Sequence, residues 1–188
     1  MNTVIQHIQR IYPLPAPVLQ ELTGLLVAEE LPKNHVLLRE GRVEQKLYFI
    51  EKGIARAYCY REDKEITFWF GAEGSVALSY NSYVADKPGY ETVELLEDSI
   101  VYSISHSEIR HLFDTHIQLA NWGRKLAEQE LVKTESCFIG LQFQPATERY
   151  KNLLESSPEL IQRVQLGYIA SYLGVTQVTL SRIRAELR

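Results

Sequence analysis

The stretch "GYIASYLGVTQVTLSRIR", residues 167–184, decides how this chain is read. Two short apolar-patterned segments flank a single glycine, and arginines follow. Packing two helices at a steep angle across a tight turn restricts residue type at a few places. A close crossing calls for a small residue, supplied by Ala170, and four residues later the turn calls for a positive φ, which Gly174 adopts without steric cost. Ile169, Leu173, Val175, Leu180 and Ile183 fall where both helices point inward. Thr176 is placed to cap the second helix. The stretch reads as a helix-turn-helix; the plainer alternative is a helical hairpin with solvated arginines.

In the first reading the second helix, residues 176–186, presents a set of side chains suited to DNA. Gln177, Val178 and Arg182 are assigned to base edges, since glutamine pairs bidentately with adenine, arginine with guanine, and a methyl group touches thymine. Thr176, Thr179, Ser181 and Arg184 are assigned to positioning on the phosphate backbone.

The 188 residues carry a formal net charge of −4, but unevenly: residues 141–188 sum to +2 and the rest to −6. An acidic body with a slightly basic tail fits a tail that meets nucleic acid. The 45% hydrophobic content is enough for a core, and no apolar run approaches membrane-spanning length. "MNTVIQHIQRIYPLPAP" lacks the features of a signal peptide, so a cytoplasmic protein without membrane association is expected. Cys59 and Cys137 are too few for a disulfide framework or an iron–sulfur ligand set and are read as reduced and buried.

Upstream, "PAPVLQELTGLLVAEELP" reads as a helix with Val18, Leu22, Leu25 and Leu26 on one face. From Val36 to Ile104 the texture is that of strands: "HVLLREG", "KLYFIEKG", "IARAYCYRE", "EITFWFG", "TVELLE" and "IVYSIS". Many short strands at such spacing suggest a sandwich or barrel. "SEIRHLF" starts a short helix, and residues 117–139 form a long one. On it Ala120, Arg124, Ala127, Leu131, Thr134 and Phe138 recur at spacings of four and three, the seam of a coiled coil, beside a second stripe of Leu119, Trp122 and Leu126. Such a helix can pack on its own domain and on a partner, or simply lie on the barrel. Pro145 then opens a helix with Ala146, Tyr150, Leu153 and Leu154 on one face, "SSP" stops it, and "RVQL" reads as an extended link.

A barrel-like region, a long helix and a terminal helix-turn-helix, in that order, resemble the CRP/FNR family of bacterial transcription regulators. The resemblance is carried by "IASYLGVTQVTLSRIR", by Gly41, Gly53 and Gly74 at the family's turn glycines, and by "ATERYKNLLESSPELIQRVQLGYIASYLG". It implies an α+β chain: an N-terminal double-stranded β-helix (jelly-roll) barrel with flanking helices (1–115), a long dimerisation helix (116–140), and a C-terminal winged-helix-like helix-turn-helix domain (141–188). It also implies a homodimer on a palindromic site in double-stranded DNA. RNA polymerase and an unidentified small-molecule effector, or none, are the further partners it suggests.

The family's cyclic-nucleotide cassette has a Gly-Glu pair and then an Arg-Ser/Thr-Ala element, and here the chain departs from it. Gly74 is followed by Ser75, and Glu91 precedes Thr92 where the arginine would stand. A carboxylate there repels a phosphate, which argues against cyclic AMP. Tyr80, Asn81, Ser82, Tyr83 and Tyr90 surround the same segment and could accommodate a small neutral or cationic molecule; alternatively the tyrosine rings fill the cavity. No cofactor or metal is expected: His35 is the lone histidine among the strands, and His106, His111 and His116 read as helix-surface residues. Nothing after the second helix reads as a wing hairpin, so modest, salt-sensitive DNA affinity is expected.

Two rival functions remain. Enzymatic motifs such as HExxH, GxSxG, a P-loop or GxGxxG are missing from the sequence, and catalysis is not expected. The other rival is a ligand- or protein-binding module that keeps the fold but has lost DNA binding.

Overall fold

The structure is a computed structural model describing residues 1–62 and 64–187; Asp63 and Arg188, the last residue of the tail counted above, lie outside the described residues. The chain begins with α1 (Asn2–Ile11) and α2 (Ala16–Leu25). Strands β1 (Val27–Leu31), β2 (Val36–Leu38), β3 (Lys46–Lys52), β4 (Ala55–Arg61), β5 (Lys64–Gly71) and β6 (Val76–Ala77) follow. Then come α3 (Tyr80–Ala85), β7 (Thr92–Leu95), β8 (Ser99–Ser105), α4 (His106–Thr115) and α5 (Ile117–Phe143). The chain finishes on α6 (Ala146–Ser156), α7 (Pro158–Arg163), α8 (Leu166–Tyr172) and α9 (Gln177–Glu186).

Two four-stranded sheets, ordered β1-β8-β3-β6 and β2-β7-β4-β5, give the jelly-roll. Consecutive strands alternate between the sheets except at β4 and β5, which are neighbours in the second sheet. The expected strand runs are all present, and Gly41, Gly53 and Gly74 each turn the chain at positive φ. Two expectations fail around them. "VAEEL" is not the end of a helix but β1, paired antiparallel with β8 from Val27↔Ser103 to Leu31↔Ser99, because the free edge of β8 offers a ladder that outweighs the helical preference of Ala and Glu. Residues 2–11, not assigned to any element from sequence, form α1, whose Val4, Ile8 and Ile11 enter the core.

That core joins α1 and α2 (Val18, Leu22) to β3 (Leu47, Phe49), α4 (Ile109, Leu112) and the start of α5 (Leu119, Trp122). Trp122 packs its ring on Phe49 at 6.0 Å. α4 starts at a capping box: Ser105 Oγ accepts from the Glu108 N–H, and the Glu108 carboxylate accepts from the Ser105 N–H.

Some side chains differ from expectation. His106 is buried, because its place at the first turn of α4 turns the ring under Tyr83 and away from water. His111 is exposed, and His116 pairs with Glu21 at 2.9 Å. Cys59 is buried, but Cys137 is only partly so; both are free thiols. The chain divides into two compact units: Met1–Ala57 with Phe70–Gln129, and the strand ends Tyr58–Trp69 with Glu130–Arg188. Among the described residues no helix is long and apolar enough to cross a membrane.

Candidate nucleic-acid interface

The second unit contains the terminal helix pair. α8 ends at Tyr172 with Leu173 as its C-terminal cap, Gly174 takes φ +65, and the turn closes through Gly174 N–H to Ser171 O (3.0 Å) and Val175 N–H to Ala170 O (3.0 Å). A Cβ on Gly174 would lie 3.1 Å from Leu141, so both the backbone angle and the space favour glycine. Ile169, Ala170, Leu173, Leu180 and Ile183 are buried as expected, with Val175 partly so. Thr176 caps α9, its Oγ1 accepting from the Thr179 N–H at 3.1 Å and lying 2.9 Å from the Thr179 hydroxyl.

With Leu180 and Ile183 turned inward, the 3.6-residue period leaves Gln177, Val178, Ser181 and Arg182 on the open face. Val178 is 62% exposed, an apolar side chain in water at a position where packing asks for nothing. Thr176 and Thr179 are exposed at the entrance of the helix, and Arg184 is half-buried beside the last turn. Of the residues assigned to DNA from the sequence, Arg184 therefore does not join the others, whereas Thr176, Gln177, Val178, Thr179, Ser181 and Arg182 are exposed at the entrance or on the open face of α9. Short segments α7 and the Val164–Gln165 link precede it; of "RVQL", only those two residues are extended, Arg163 and Leu166 being helical.

Two contacts that sequence reasoning missed hold this pair in place. Arg149 on α6 donates from Nε (3.1 Å) and Nη2 (2.8 Å) to the carbonyl of Leu173, and from Nη1 to the carbonyl of Gln144. One guanidinium thus joins the C-terminal end of α8 to the end of α5. Ser171 Oγ accepts from the Thr67 N–H and donates to the Glu65 carbonyl, both at 2.9 Å, fixing α8 along β5. Neither leaves a signal in composition or periodicity, since each joins residues distant in sequence. On the same unit, burial and the Cys137 thiol push the Tyr172 phenol well above its usual range, keeping it neutral.

Along α5 the two stripes separate. Leu119 and Trp122 are buried and Leu126 packs against that core, whereas Leu131 and Phe138 are 69% and 59% exposed. Arg124, Ala127 and Thr134 are also exposed and Ala120 is half-buried.

The residues of the expected effector segment do not converge as a set. Gly74 abuts His7 of α1, where a Cβ would meet the imidazole at 2.7 Å, and Ser75 engages its backbone with Ile50 and Ala72. Ser82 is fully buried with its hydroxyl spent on the Lys87 carbonyl (3.1 Å) and the Glu44 N–H (3.0 Å). Thr92 Oγ1 accepts from the Glu40 N–H. Tyr83 faces α4, edge-on to His106 and under the Arg110 guanidinium at 5.0 Å. Tyr80 and Tyr90 stay half exposed, so ring faces do not seal the segment, and Asn81 is exposed. Glu91 is buried.

Residues 28–116 match the family of cyclic nucleotide-binding domains. No functionally curated protein matches the chain in sequence. Solved structures share the fold across both units. FixK2 from Bradyrhizobium japonicum is 20% identical over 86% of this chain and 84% of its own, with a TM-score of 0.74. The c-di-GMP-responsive global regulator CLP of Xanthomonas campestris is 18% identical over 92% and 91%, with a TM-score of 0.71. A protein from Eubacterium rectale assigned to the crp/fnr family is 14% identical over 94% and 87%, with a TM-score of 0.73.

Proposed function

We propose that this chain, which has the fold of the CRP/FNR regulators and carries a cyclic nucleotide-binding domain at residues 28–116, is a DNA-binding transcription regulator acting in the cytoplasm as a homodimer on a palindromic site. The observation that carries the reading is the open face of α9. Leu180 and Ile183 anchor it, and Gln177, Val178 and Arg182 are exposed on it, as side chains that enter a major groove must be.

Gln177 and Arg182 read base edges and Val178 offers its methyls to thymine. Thr176, Thr179 and Ser181 present hydroxyls to phosphates, and Arg184 adds charge near the helix end. The exposed seam of Leu131 and Phe138 on α5 is the dimer contact, and two-fold symmetry then sets two copies of α9 about one helical turn apart on the duplex. An effector in the barrel acts by differential affinity for two arrangements of the dimer, a population shift. With no effector, the protein is a constitutive binder governed by its own abundance. The role is binding, not catalysis, and RNA polymerase is the partner through which promoter occupancy becomes regulation.

The test is selection of genomic DNA fragments by the purified chain at low and near-physiological salt, with Arg182→Ala alongside. Recovery of a palindrome by the native protein alone is the expected result. Equal recovery by both would remove Arg182 from the base-reading set, whereas enrichment of nothing at either salt, with and without cell-extract metabolites, would leave the rival of a binding module that has lost its DNA.

A further inference from the structure

Strand β5 ends the order β2-β7-β4-β5, so one of its edges has no strand beside it. Such an edge presents backbone N–H and C=O groups that need partners wherever water is kept away. Thr67 on this strand is 2% exposed. The hydroxyl of Ser171 occupies the edge there, accepting from the Thr67 N–H and donating to the Glu65 carbonyl, both at 2.9 Å. In a strand the C=O of one residue and the N–H of the residue two further on point the same way. A single side chain thus takes the two bonds that one residue of an added strand would take.

Consecutive residues at the end of α8 are each fastened to a different element. Ser171 is held by β5, the Tyr172 phenol meets the Cys137 thiol of α5, and the Leu173 carbonyl takes two N–H groups of Arg149 on α6. The Tyr172 and Leu173 ties join helix to helix, whereas the Ser171 tie reaches the sheet. All of them lie inside one compact unit, because Tyr58–Trp69 belongs with Glu130–Arg188. Ala57 and Phe70, the next residues along β4 and β5, belong to the other unit. Both strands therefore run unbroken from the barrel to the seat of the helix pair. Gly174 and the Thr176 cap then join α9 to α8 by a short turn, and the buried Ile169, Ala170, Leu180 and Ile183 hold the pair together.

We infer that Ser171 is a positioning residue for DNA reading, and that the edge of β5 is the seat on which α8 holds α9 at a fixed angle. The positioning role rests on the regulator reading above; the docking of α8 on β5 does not. A helix pair tied only to α5 and α6 samples more orientations. The fraction able to enter a major groove falls, and the observed affinity falls by that fraction. Conversely, DNA that engages α9 tightens the docking contact, since coupling between two equilibria is reciprocal.

The test combines fluorescence anisotropy on a palindromic duplex recovered by the selection above with amide hydrogen exchange read by nuclear magnetic resonance, both on the full chain. The native protein is compared with Ser171→Ala and with Ser171→Thr, which keeps the hydroxyl. Ser171→Ala should weaken DNA binding at least about fivefold and speed exchange of the Thr67 amide at least about tenfold. Ser171→Thr should bring both back to within about twofold of the native values. The Ile50 amide of the barrel core, bonded to Ser75, is the control and should not change. Bound DNA should slow exchange at Thr67 more than at Ile50 in the native protein. Faster Thr67 exchange with unchanged DNA affinity refutes the positioning role, and exchange at the native rate in Ser171→Ala refutes the docking contact itself. Equal losses in Ser171→Ala and Ser171→Thr assign the effect to packing and refute the role of the hydroxyl. A native chain that selects no DNA, while Ser171→Ala still exchanges faster at Thr67, refutes the regulator reading and leaves the docking standing. If Ser171→Ala does not fold, the native chain decides: bound DNA that fails to slow Thr67 beyond Ile50 overturns the proposal.

Discussion

Arg149→Ala should loosen the terminal helix pair without touching a single DNA-reading side chain. The Leu173 carbonyl belongs to the end of α8, where backbone acceptors have no intrahelical partner, and it receives two of the guanidinium's N–H groups. The Gln144 carbonyl receives the third. Hydrogen bonds from a charged donor contribute roughly 1.5–3 kcal/mol, and a buried acceptor left unpaired costs roughly 1–3 kcal/mol. Gln144 is half-buried and its carbonyl can turn to water, while Leu173 is buried. Counting Leu173 in full and Gln144 in small part gives a loss of about 2–4 kcal/mol. Urea unfolding followed by far-UV circular dichroism measures it, with anisotropy on a selected DNA site as the second readout. Arg149→Lys keeps the charge but not the fork, meets one carbonyl at a time, and should fall between. A value for Arg149→Ala within about 0.5 kcal/mol of the native chain, which is the scatter of ordinary surface substitutions, refutes the reasoning.

Two further outcomes follow from other parts of the molecule. Burial first, and then the Arg110 charge, hold the His106 imidazole below its ordinary value of 6.5, against the opposing influence of the Lys46 backbone, Asp86 and Glu44. As pH falls below about 6.5 the unfolded chain takes up a proton that the folded chain refuses, so stability declines, by at most about 1.4 kcal/mol per pH unit from this group. His106→Phe should lose less stability than the native chain between pH 7.5 and 5.5 in paired urea titrations, and parallel losses would exclude the effect. Leu131→Asp places a charge in the exposed seam of α5 and should weaken dimerisation by about 2 kcal/mol or more; sedimentation velocity that shows the two proteins in the same state would remove the seam from the interface.

Much of the terminal helix pair was legible in the sequence because its constraints are local. The angle at Gly174, the cap at Thr176 and the spacing of Ile169, Leu173, Leu180 and Ile183 act within a few residues, and each residue type has one conformational use there. The strand runs and the two stripes of α5 were legible for the same reason, since periodicity reports which side of an element faces apolar surroundings.

What only the tertiary structure decided depends on partners far away in sequence. "VAEEL" became β1 because β8 stood beside it, and Arg149 became a clasp because the ends of α8 and α5 meet at its tip. In the string of letters His106 reads as a helix-surface residue and Glu91 as a carboxylate of the effector segment, and neither reading contains its burial. Their burial follows from Tyr83 and α4 in one case and the pinned Gly89 loop in the other. Propensity and spacing determine which elements can form, whereas the cost of an unpaired polar group is set by whichever chain segments close around it.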